Sequence, residues 1–291
     1  MTVDVNNQVN GTTKILCIIG HPVRHSLSPA MQNAALRACG LDYVYVPFDV
    51  APEGLGDAVT GLKALGVSGF NVTIPHKTDI MQYLDDVDTT AEAAGAVNTV
   101  KNEGGRLIGY NTDGDGLIRS CAIQFGFNAR GASVAIIGAG GAARGAIAAL
   151  CRAGAGRIVI ANRTRDRASG LASDMAARFP DTVLHVVEGF KALEEGLAEM
   201  DMLVNTTSLG MNRDSESILR LDGLPPTAVV YDMVYAPPLT PLLQEAAGLG
   251  LKAANGLGML AAQGELAFTI WTGVTPPYGL MKSVLDGICD C

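Results

Sequence analysis

Short apolar runs alternate with segments of helical periodicity along the chain. Runs rich in β-branched residues predict strands, and intervening segments with apolar residues three or four positions apart predict helices. Such an alternation is typical of α/β proteins with largely parallel sheets. In the first third, the pattern predicts strands at Lys14–Ile19, Tyr43–Phe48 and Val67–Val72 and helices at Pro29–Cys39 and Pro52–Leu65.

The turn-forming segment Asn111–Gly116 interrupts this pattern, and a helix is predicted to follow from Leu117 to Phe125. A second unit then begins, with a strand at Ser133–Ile137 and an alanine-rich helix from about Gly141 to Ala153. Its further predicted strands are Arg157–Ala161, Val183–Val187, Met202–Asn205 and Ala228–Asp232. This order and spacing favour a doubly wound dinucleotide-binding fold.

The segment after Gly256 has a helical pattern and no strand of its own. Its helices must therefore pack on a sheet that is already built, and we expect them to return to the first unit. A length of 291 residues suits about two domains.

Composition narrows the possible partners. Apolar residues make up 48% of the chain, charged residues 17%, and the net charge is −8. An acidic chain without a basic run binds polyanions poorly, so we expect no nucleic-acid partner. A small anion could still bind, but it would need local positive charge or backbone amides.

The chain carries no sign of a membrane, secretory or metal-binding role. No stretch approaches ~18 continuous apolar residues, and residues 1–13 are polar and unlike a signal peptide. The six cysteines form no CxxC pair and stand away from the four scattered histidines, so we expect no metal site. Cysteines of this kind are typical of buried thiols in a reducing compartment. We therefore expect a cytoplasmic protein.

The segment from Gly138 to Ala143 fits the dinucleotide-binding fingerprint, with a strand before it and a helix after it. Gly138 would allow the tight turn, Gly140 would let the backbone approach a pyrophosphate, and Ala143 is small enough for close helix–strand packing. The phosphates would then bind unsatisfied amides at the start of the helix. The alternative is a glycine-rich turn without a ligand.

The end of the next strand indicates which dinucleotide binds. NAD enzymes usually have an acidic residue there, which binds the ribose 2′-hydroxyl. This chain instead has Asn162, Arg163 and Thr164, with Arg165 and Arg167 close behind. Arginine pairs well with phosphate, so the pattern predicts a 2′-phosphate site and NADP as the cofactor. A solvated basic turn is the alternative.

The first unit contains four longer motifs, which are GHPVRHSLSP from residue 20, GFNVTIPHK from 69, GAVNT from 95 and NTDG from 111. They resemble motifs of the shikimate dehydrogenase family. The second half adds GAGGAA from 138, NRT from 162, YDMVY from 231 and NGLGMLAAQG from 255. The matches keep the family's order over residues 20–273. One departure is Gln32, where many members have histidine, at a position expected to lie outside the reacting centre.

The resemblance implies NADP-dependent, reversible reduction of 3-dehydroshikimate to shikimate, in the chorismate route to the aromatic amino acids. It implies a substrate-binding domain from residues 1–113 plus 257–291, and a Rossmann-type nucleotide-binding domain from 114–256. The active site is then expected in the cleft between them, with a monomer or homodimer as the assembly.

The resemblance also implies roles for individual residues. Lys77 and Asp113 would form the catalytic pair, and Ser26, Ser28 and Tyr235 would hold the substrate carboxylate. The ring hydroxyls would be bound by Asn71, Thr73, Asn98, Asp113 and Gln263, with Lys77 also in contact. Fingerprint and resemblance together assign to the cofactor Gly138, Ala139, Gly140, Gly141, Ala142, Ala143, Asn162, Arg163, Thr164, Arg167, Thr206, Met233, Gly256 and Met259.

These residue types suit the chemistry. Hydride transfer to a ketone builds negative charge on oxygen, which a lysine ammonium can stabilise and protonate. Neutral donors and acceptors suit a polyol. Taken singly, Lys77 could be a solvated turn residue, Asp113 a turn residue or helix cap, and the two serines caps only.

Two alternatives stay open. A quinate or quinate/shikimate dehydrogenase using NAD or NADP would differ near Ser26, Ser28 and Tyr235, because quinate carries an extra hydroxyl at the carboxylate-bearing carbon. A catalytically silent ligand sensor could use the same scaffold, but the presence of both Lys77 and Asp113 argues against it.

Overall fold

The computed structural model describes residues 9–211, 217 and 219–289. The chain divides into two compact units. Unit 1 consists of Met1–Thr112 and Ala261–Cys291, and unit 2 consists of Asp113–Leu260. None of the helices in the described part of the chain is long and apolar enough to cross a membrane.

Unit 1 contains a six-stranded sheet with the order β2-β1-β3-β5-β6-β4. Strand β1 is parallel to β2 and β3, and β4 is parallel to β6, whereas β5 is antiparallel to both of its neighbours. The strands are β1 (Lys14–Gly20), β2 (Tyr43–Asp49), β3 (Gly69–Val72), β4 (Asp86–Val87), β5 (Thr99–Glu103) and β6 (Arg106–Tyr110).

The helices of the first part of unit 1 are α1 (Ser28–Ala38), α2 (Leu55–Ala64) and α3 (Thr89–Ala94), with 3₁₀ turns at Pro52–Gly54 and Asp79–Tyr83. Three strands and two helices lie where the sequence predicted them. The alternative interpretation of Ser28 as a helix cap is wrong: Leu27 is the N-cap of α1 without a side-chain cap bond, and Ser28 is already in the helix. Proline in the first turn fits its fixed backbone angle.

The β5–β6 hairpin was outside the predicted elements. Its turn contains Gly104 and Gly105 at φ 63° and 95°, where L side chains are strained. One core cluster of unit 1 includes Ile19, Phe70 and Val72 from the sheet, with Val59 from α2 packed against them. Apolar contacts therefore stabilise the sheet, and the polar side chains at its strand ends remain available for binding or catalysis.

Unit 2 contains a six-stranded sheet in which every pairing is parallel, with the order β12-β11-β10-β7-β8-β9. Residues 134–137 are fully buried, as expected for a central strand covered on both faces. The strands are β7 (Ser133–Ile137), β8 (Arg157–Asn162), β9 (Val183–Glu188), β10 (Met202–Asn205), β11 (Val229–Asp232) and β12 (Lys252–Asn255). This is the strand order of a doubly wound fold, the fold that the sequence predicted, although β12 was not among the predicted strands.

The helices of unit 2 are α4 (Asp113–Phe125), α5 (Gly141–Arg152), α6 (Arg165–Arg178), α7 (Gly189–Glu194) and α8 (Pro241–Gly248), with a 3₁₀ turn at Leu197–Glu199. The start expected for α4, Leu117, is wrong by one turn. Asp113 and Asp115 lie in its first turn, where carboxylates favour the helix dipole. A Cβ on Gly114 would lie 2.6 Å from the Ala149 side chain of α5, so this glycine permits close helix packing.

The last helices are α9 (Leu257–Thr272) and α10 (Leu280–Cys289). The division between the units falls within α9, after Leu260, whereas the sequence placed it after Gly256. Helix α9 continues through this division without a turn. A helix-breaking residue such as Gly256 therefore does not mark the boundary between the units.

Candidate active site

A buried polar cluster forms where β3 ends and β5 begins in unit 1. Asn71 on β3 donates from Nδ2 to the Asn98 carbonyl oxygen at 3.0 Å and to Thr99 Oγ1 at 3.1 Å. Asn98 Nδ2 donates to Thr112 Oγ1 at 2.9 Å, and the Thr112 backbone N–H donates to Asn98 Oδ1 at 2.8 Å. The last turn before unit 2 is thereby tied to the sheet.

Gln263 joins this cluster from α9. Its Oε1 lies 3.5 Å from Asn98 Nδ2, at the outer limit of a hydrogen bond. One residue further on, the Gly264 carbonyl oxygen accepts from Gln32 Nε2 at 3.0 Å. Gln32 is fully buried, and its Oε1 has no hydrogen-bond partner among the described residues. The structure therefore brings together Asn71, Asn98 and Gln263, all expected to contact ring hydroxyls.

The two serines lie close to this cluster. Ser28 is 5% exposed, and its backbone N–H donates to Ser26 Oγ at 3.3 Å. The Ser28 side chain partly opposes the rise that burial causes in the pKa of the Tyr45 phenol, and the Tyr45 hydroxyl donates to Asn71 Oδ1 at 2.7 Å. Tyr45, a residue absent from the expected set, therefore lies beside both Ser28 and Asn71.

Thr73 and Lys77 follow Asn71 in the chain. The Thr73 side chain lies so close to Gly20 that a Cβ there would overlap it, which explains the glycine at the end of β1. Lys77 is half-buried, and its carbonyl oxygen accepts from the Val97 N–H at 2.7 Å. This bond fixes the backbone that carries the ammonium next to the segment containing Asn98.

The fingerprint of unit 2 lies between β7 and α5. Gly138 has φ 115°, and a Cβ on it would lie 2.5 Å from Thr206 Oγ1. In contrast, a Cβ on Gly140 or Gly141 would meet nothing within 4 Å, so the space beside these two residues is open. Ala143 is fully buried. A loop that binds a pyrophosphate in this way needs three features: a tight turn, an open backbone and close helix–strand packing.

Arg163 and Arg167 lie at the start of α6, next to the carboxyl end of β8. Thr164 is the N-cap residue, and its carbonyl oxygen accepts from Asn162 Nδ2 at 2.8 Å. Arg165 pairs with Glu188 at 3.1 Å, whereas no ion pair of Arg163 or Arg167 is found within the described ranges. Both side chains are exposed, so their positive charge is available to a ligand.

The remaining cofactor candidates of unit 2 follow neighbouring strands. Thr206, after β10, donates from Oγ1 to the Ile137 carbonyl oxygen at 2.7 Å. Gly256, after β12, lies against the Met233 backbone so closely that a Cβ would overlap the Met233 carbonyl. The Met259 N–H donates to the Tyr231 hydroxyl at 3.0 Å. All of them lie at the carboxyl edge of the parallel sheet, where doubly wound folds bind ligands.

Asp232 is a fully buried carboxylate under the loop that carries Met233 and Tyr235. It accepts from Thr240 Oγ1 at 2.6 Å, from Asn205 Nδ2 at 2.9 Å and from the Val234 N–H at 3.0 Å. Burial raises the pKa of Asp232 above its usual range, and the three hydrogen bonds partly oppose this shift. The carboxylate therefore holds the loops after β10 and β11 in one arrangement.

Two of the residues expected at the substrate, Asp113 and Tyr235, belong to unit 2. Asp113 is the first residue of α4 and directly follows Thr112, which is held by Asn98. Tyr235 is half-buried in the loop above Asp232.

Sequence reasoning missed three polar residues of unit 1, Tyr45, Thr99 and Thr112, and the Asn205–Asp232–Thr240 group of unit 2. A tyrosine inside a strand pattern gives no sign of where its hydroxyl points. Thr99 and Thr112 stand inside motifs that were recognised. Their position next to Asn98 and Asp113 was the available signal.

The two units define a class of protein. A doubly wound parallel sheet with an open glycine loop and nearby unpaired arginines is typical of a dinucleotide-dependent dehydrogenase, here with a second α/β unit that carries a polar cluster. Three family models match: the shikimate dehydrogenase substrate binding domain over residues 18–100, shikimate/quinate 5-dehydrogenase over 121–217, and the shikimate 5′-dehydrogenase C-terminal domain over 256–285. The chain belongs to the shikimate dehydrogenase family.

Similar proteins span almost the whole chain. A shikimate dehydrogenase (NADP(+)) of Citrifermentans bemidjiense is 54% identical over 95% of this chain and 96% of its own. A shikimate dehydrogenase solved in complex with NADP+ is 44% identical, with a TM-score of 0.89 and coverage of 97% and 98%. The Listeria monocytogenes shikimate 5-dehydrogenase, in complex with shikimate and NAD, is 38% identical, with a TM-score of 0.90 and coverage of 96% and 98%.

The same fold also serves a different substrate. Quinate dehydrogenase of Corynebacterium glutamicum, solved in complex with NAD, is 30% identical to this chain, with a TM-score of 0.87 and coverage of 94% and 99%. A 5-ketofructose reductase of Gluconobacter is 33% identical, with a TM-score of 0.88 and coverage of 96% and 100%. The fold alone therefore does not choose the substrate, and the residues of the site must be used for that choice.

Proposed function

We propose that this chain is an NADP-dependent shikimate dehydrogenase that reversibly reduces 3-dehydroshikimate to shikimate, in the chorismate route to the aromatic amino acids. The observation that carries the proposal is a combination of two features in one chain. Unit 2 has an open glycine loop and two exposed arginines, and unit 1 has a buried polar cluster suited to a polyol. Unit 1 would bind the substrate and unit 2 the cofactor. In the described part of the chain five cysteines are free and three of them are buried, which fits a cytoplasmic site of action.

The residues present fit NADP. The open space beside Gly140 and Gly141 leaves room for a pyrophosphate against the N-terminus of α5. Arg163 and Arg167 supply cations where the adenosine ribose is expected, and no acid precedes Asp166 there. Met233, Gly256 and Met259 would border the nicotinamide. When bound, NADP supplies the hydride acceptor or donor, and this chain supplies binding, orientation and proton transfer.

The substrate carboxylate would be held by Ser26, Ser28 and Tyr235, and the ring hydroxyls by Asn71, Thr73, Asn98, Asp113 and Gln263. The amide groups suit this role, because each hydroxyl of a polyol needs both a donor and an acceptor. A site that pairs each hydroxyl rejects analogues lacking one, since a buried partner would be left unsatisfied.

We assign proton transfer to Lys77, with Asp113 as its partner. An ammonium can donate a proton to the alkoxide formed on reduction, and it stabilises the negative charge that develops on that oxygen. Asp113 would orient the ammonium and share the substrate hydroxyl. The half-buried position of Lys77 beside the cluster supports this role.

The second candidate is a quinate or quinate/shikimate dehydrogenase, which the 30% identical quinate dehydrogenase favours. Quinate would need an extra partner near Ser26, Ser28 or Tyr235. Ser28 is 5% exposed and lies beside the buried Tyr45 phenol, which leaves little room for a further hydroxyl group at this point. We therefore favour shikimate.

The proposal is tested with Lys77→Ala, assayed by the appearance of reduced nicotinamide with shikimate and NADP+. We expect kcat to fall by about 10²–10⁴-fold, the usual range for a positioned acid–base group. The KM for shikimate should change much less, because the hydroxyl partners remain. Lys63→Ala is the matched control, since Lys63 is an exposed residue that pairs with Asp85. Turnover by Lys77→Ala within a few-fold of wild type would exclude Lys77 as the proton-transfer group.

A further inference from the structure

Tyr45 is a buried tyrosine for which the proposed reaction provides no role. It is 2% exposed and lies on β2, two strands away from Asn71. Its hydroxyl reaches over β1 and donates to Asn71 Oδ1 at 2.7 Å. A buried phenol with a short bond to a proposed substrate-binding amide calls for a reason beyond packing.

Both ends of Tyr45 are fixed. The side chain of Asn33 on α1 clamps its backbone, donating to the Tyr45 carbonyl oxygen at 2.8 Å and accepting from the Tyr45 N–H at 2.9 Å. The ring lies 6.0 Å from the Trp271 ring, and the Trp271 indole N–H donates to the Val100 carbonyl oxygen at 2.9 Å. Trp271 in turn occupies the space over Gly69, where a Cβ would overlap it. The hydroxyl is therefore held in place before any ligand arrives.

The hydrogen bonds of Asn71 leave its side chain able to accept one further hydrogen bond. Both N–H groups are used, by the Asn98 carbonyl oxygen and by Thr99 Oγ1. Tyr45 takes one lone pair of Oδ1, and one lone pair remains. Burial raises the pKa of Tyr45 far above its usual range, so the phenol keeps its proton and stays a donor at the pH values of an assay.

We propose that Tyr45 is a positioning residue for the substrate, which locks the Asn71 amide so that its oxygen accepts from a donating ring hydroxyl. This inference rests on the proposed function. Without the phenol, the Asn71 oxygen would lose its buried donor, and the amide would be held only by its two N–H bonds. The same phenol also lies beside Ser28, a proposed partner of the substrate carboxylate.

The test is Tyr45→Phe, which keeps the ring packing and removes the hydroxyl alone. We expect the KM for shikimate to rise by about 10-fold, the effect of losing one buried hydrogen bond. The kcat should stay within a few-fold, and the KM for NADP+ should not change. Tyr43→Phe is the matched control, because Tyr43 lies on the same strand with its ring beneath the Lys14 ammonium, at 5.4 Å. It should behave as wild type.

A second measurement separates positioning from a purely structural role. If Tyr45 acts through Asn71, adding Tyr45→Phe to Asn71→Ala should change the KM for shikimate no further. Equal losses in both backgrounds would overturn the proposal, as would an unchanged KM or a Tyr45→Phe variant that no longer folds. A wild type that does not oxidise shikimate would instead refute the proposed function, and the positioning role with it.

Discussion

Replacing Arg163 by alanine should weaken NADP+ binding and leave NAD+ binding almost unchanged. A 2′-phosphate carries roughly −1.5 to −2 charges near neutral pH, whereas NAD+ has a hydroxyl at that point. A hydrogen bond to a charged group contributes about 1.5–3 kcal/mol. Arg163 is exposed, so solvent screens the pair, and the lower part of that range applies. We therefore expect the Kd for NADP+ to rise by about 10-fold.

Two features of the structure affect the size of the expected loss in NADP+ affinity. Arg163 has no ion pair within the described ranges, so its removal breaks no bond of the free protein that would confuse the result. Arg167 lies one turn further along α6 and can partly replace it, whereas the nearby Arg165 is engaged by Glu188. The double variant Arg163→Ala/Arg167→Ala should therefore lose more than the single variant.

The assay is the Kd of both cofactors by titration at low and high salt. Raised salt should weaken NADP+ binding to wild type and have less effect on the variant, because salt screens an exposed pair. Arg178→Ala is the control, since it makes the same change at the far end of α6. Equal losses for NADP+ and NAD+ would refute the reasoning, because Arg163 would then support the loop and not bind the phosphate.

Two further predictions follow from the described contacts. Replacing both Ser26 and Ser28 by alanine should raise the KM for shikimate by about 10-fold or more, at ~0.5–1.5 kcal/mol per hydrogen bond and more for a charged acceptor. An unchanged KM in steady-state rates would place the carboxylate elsewhere. Gly138→Ala should lower thermal stability, because φ is 115° and the Cβ would lie 2.5 Å from Thr206 Oγ1. Gly170→Ala, at an open position inside α6, should raise stability by about 0.5–1 kcal/mol. A higher melting temperature for Gly138→Ala than for Gly170→Ala would contradict both predictions.

The doubly wound unit could be predicted from sequence because its signals are local. Apolar runs such as Ser133–Ile137 and glycines such as Gly138 carry their meaning within a few residues. The β5–β6 hairpin was missed although Gly104 and Gly105 mark its turn, because its strands are short and carry polar residues. The start of α4 was misplaced because Asp113 and Gly114 are turn formers that here begin a helix.

The Tyr45 contact could not be predicted, because it depends on register across three strands. Leu16 on β1 is paired with both Tyr45 and Gly69, so these residues share one row of the sheet. Gly69 leaves the space that Trp271 fills from α9, about two hundred residues later in the chain. Local sequence patterns contain no information about a contact between residues so far apart in the chain.

The most direct test of the proposed function is a comparison of kcat/KM for shikimate and quinate, each with NADP+ and with NAD+, using the purified wild-type chain. We expect shikimate with NADP+ to give the highest value, with NADP+ favoured over NAD+ by about 10-fold or more, as the 2′-phosphate contacts require. A higher kcat/KM with NAD+, or with quinate, would contradict the account.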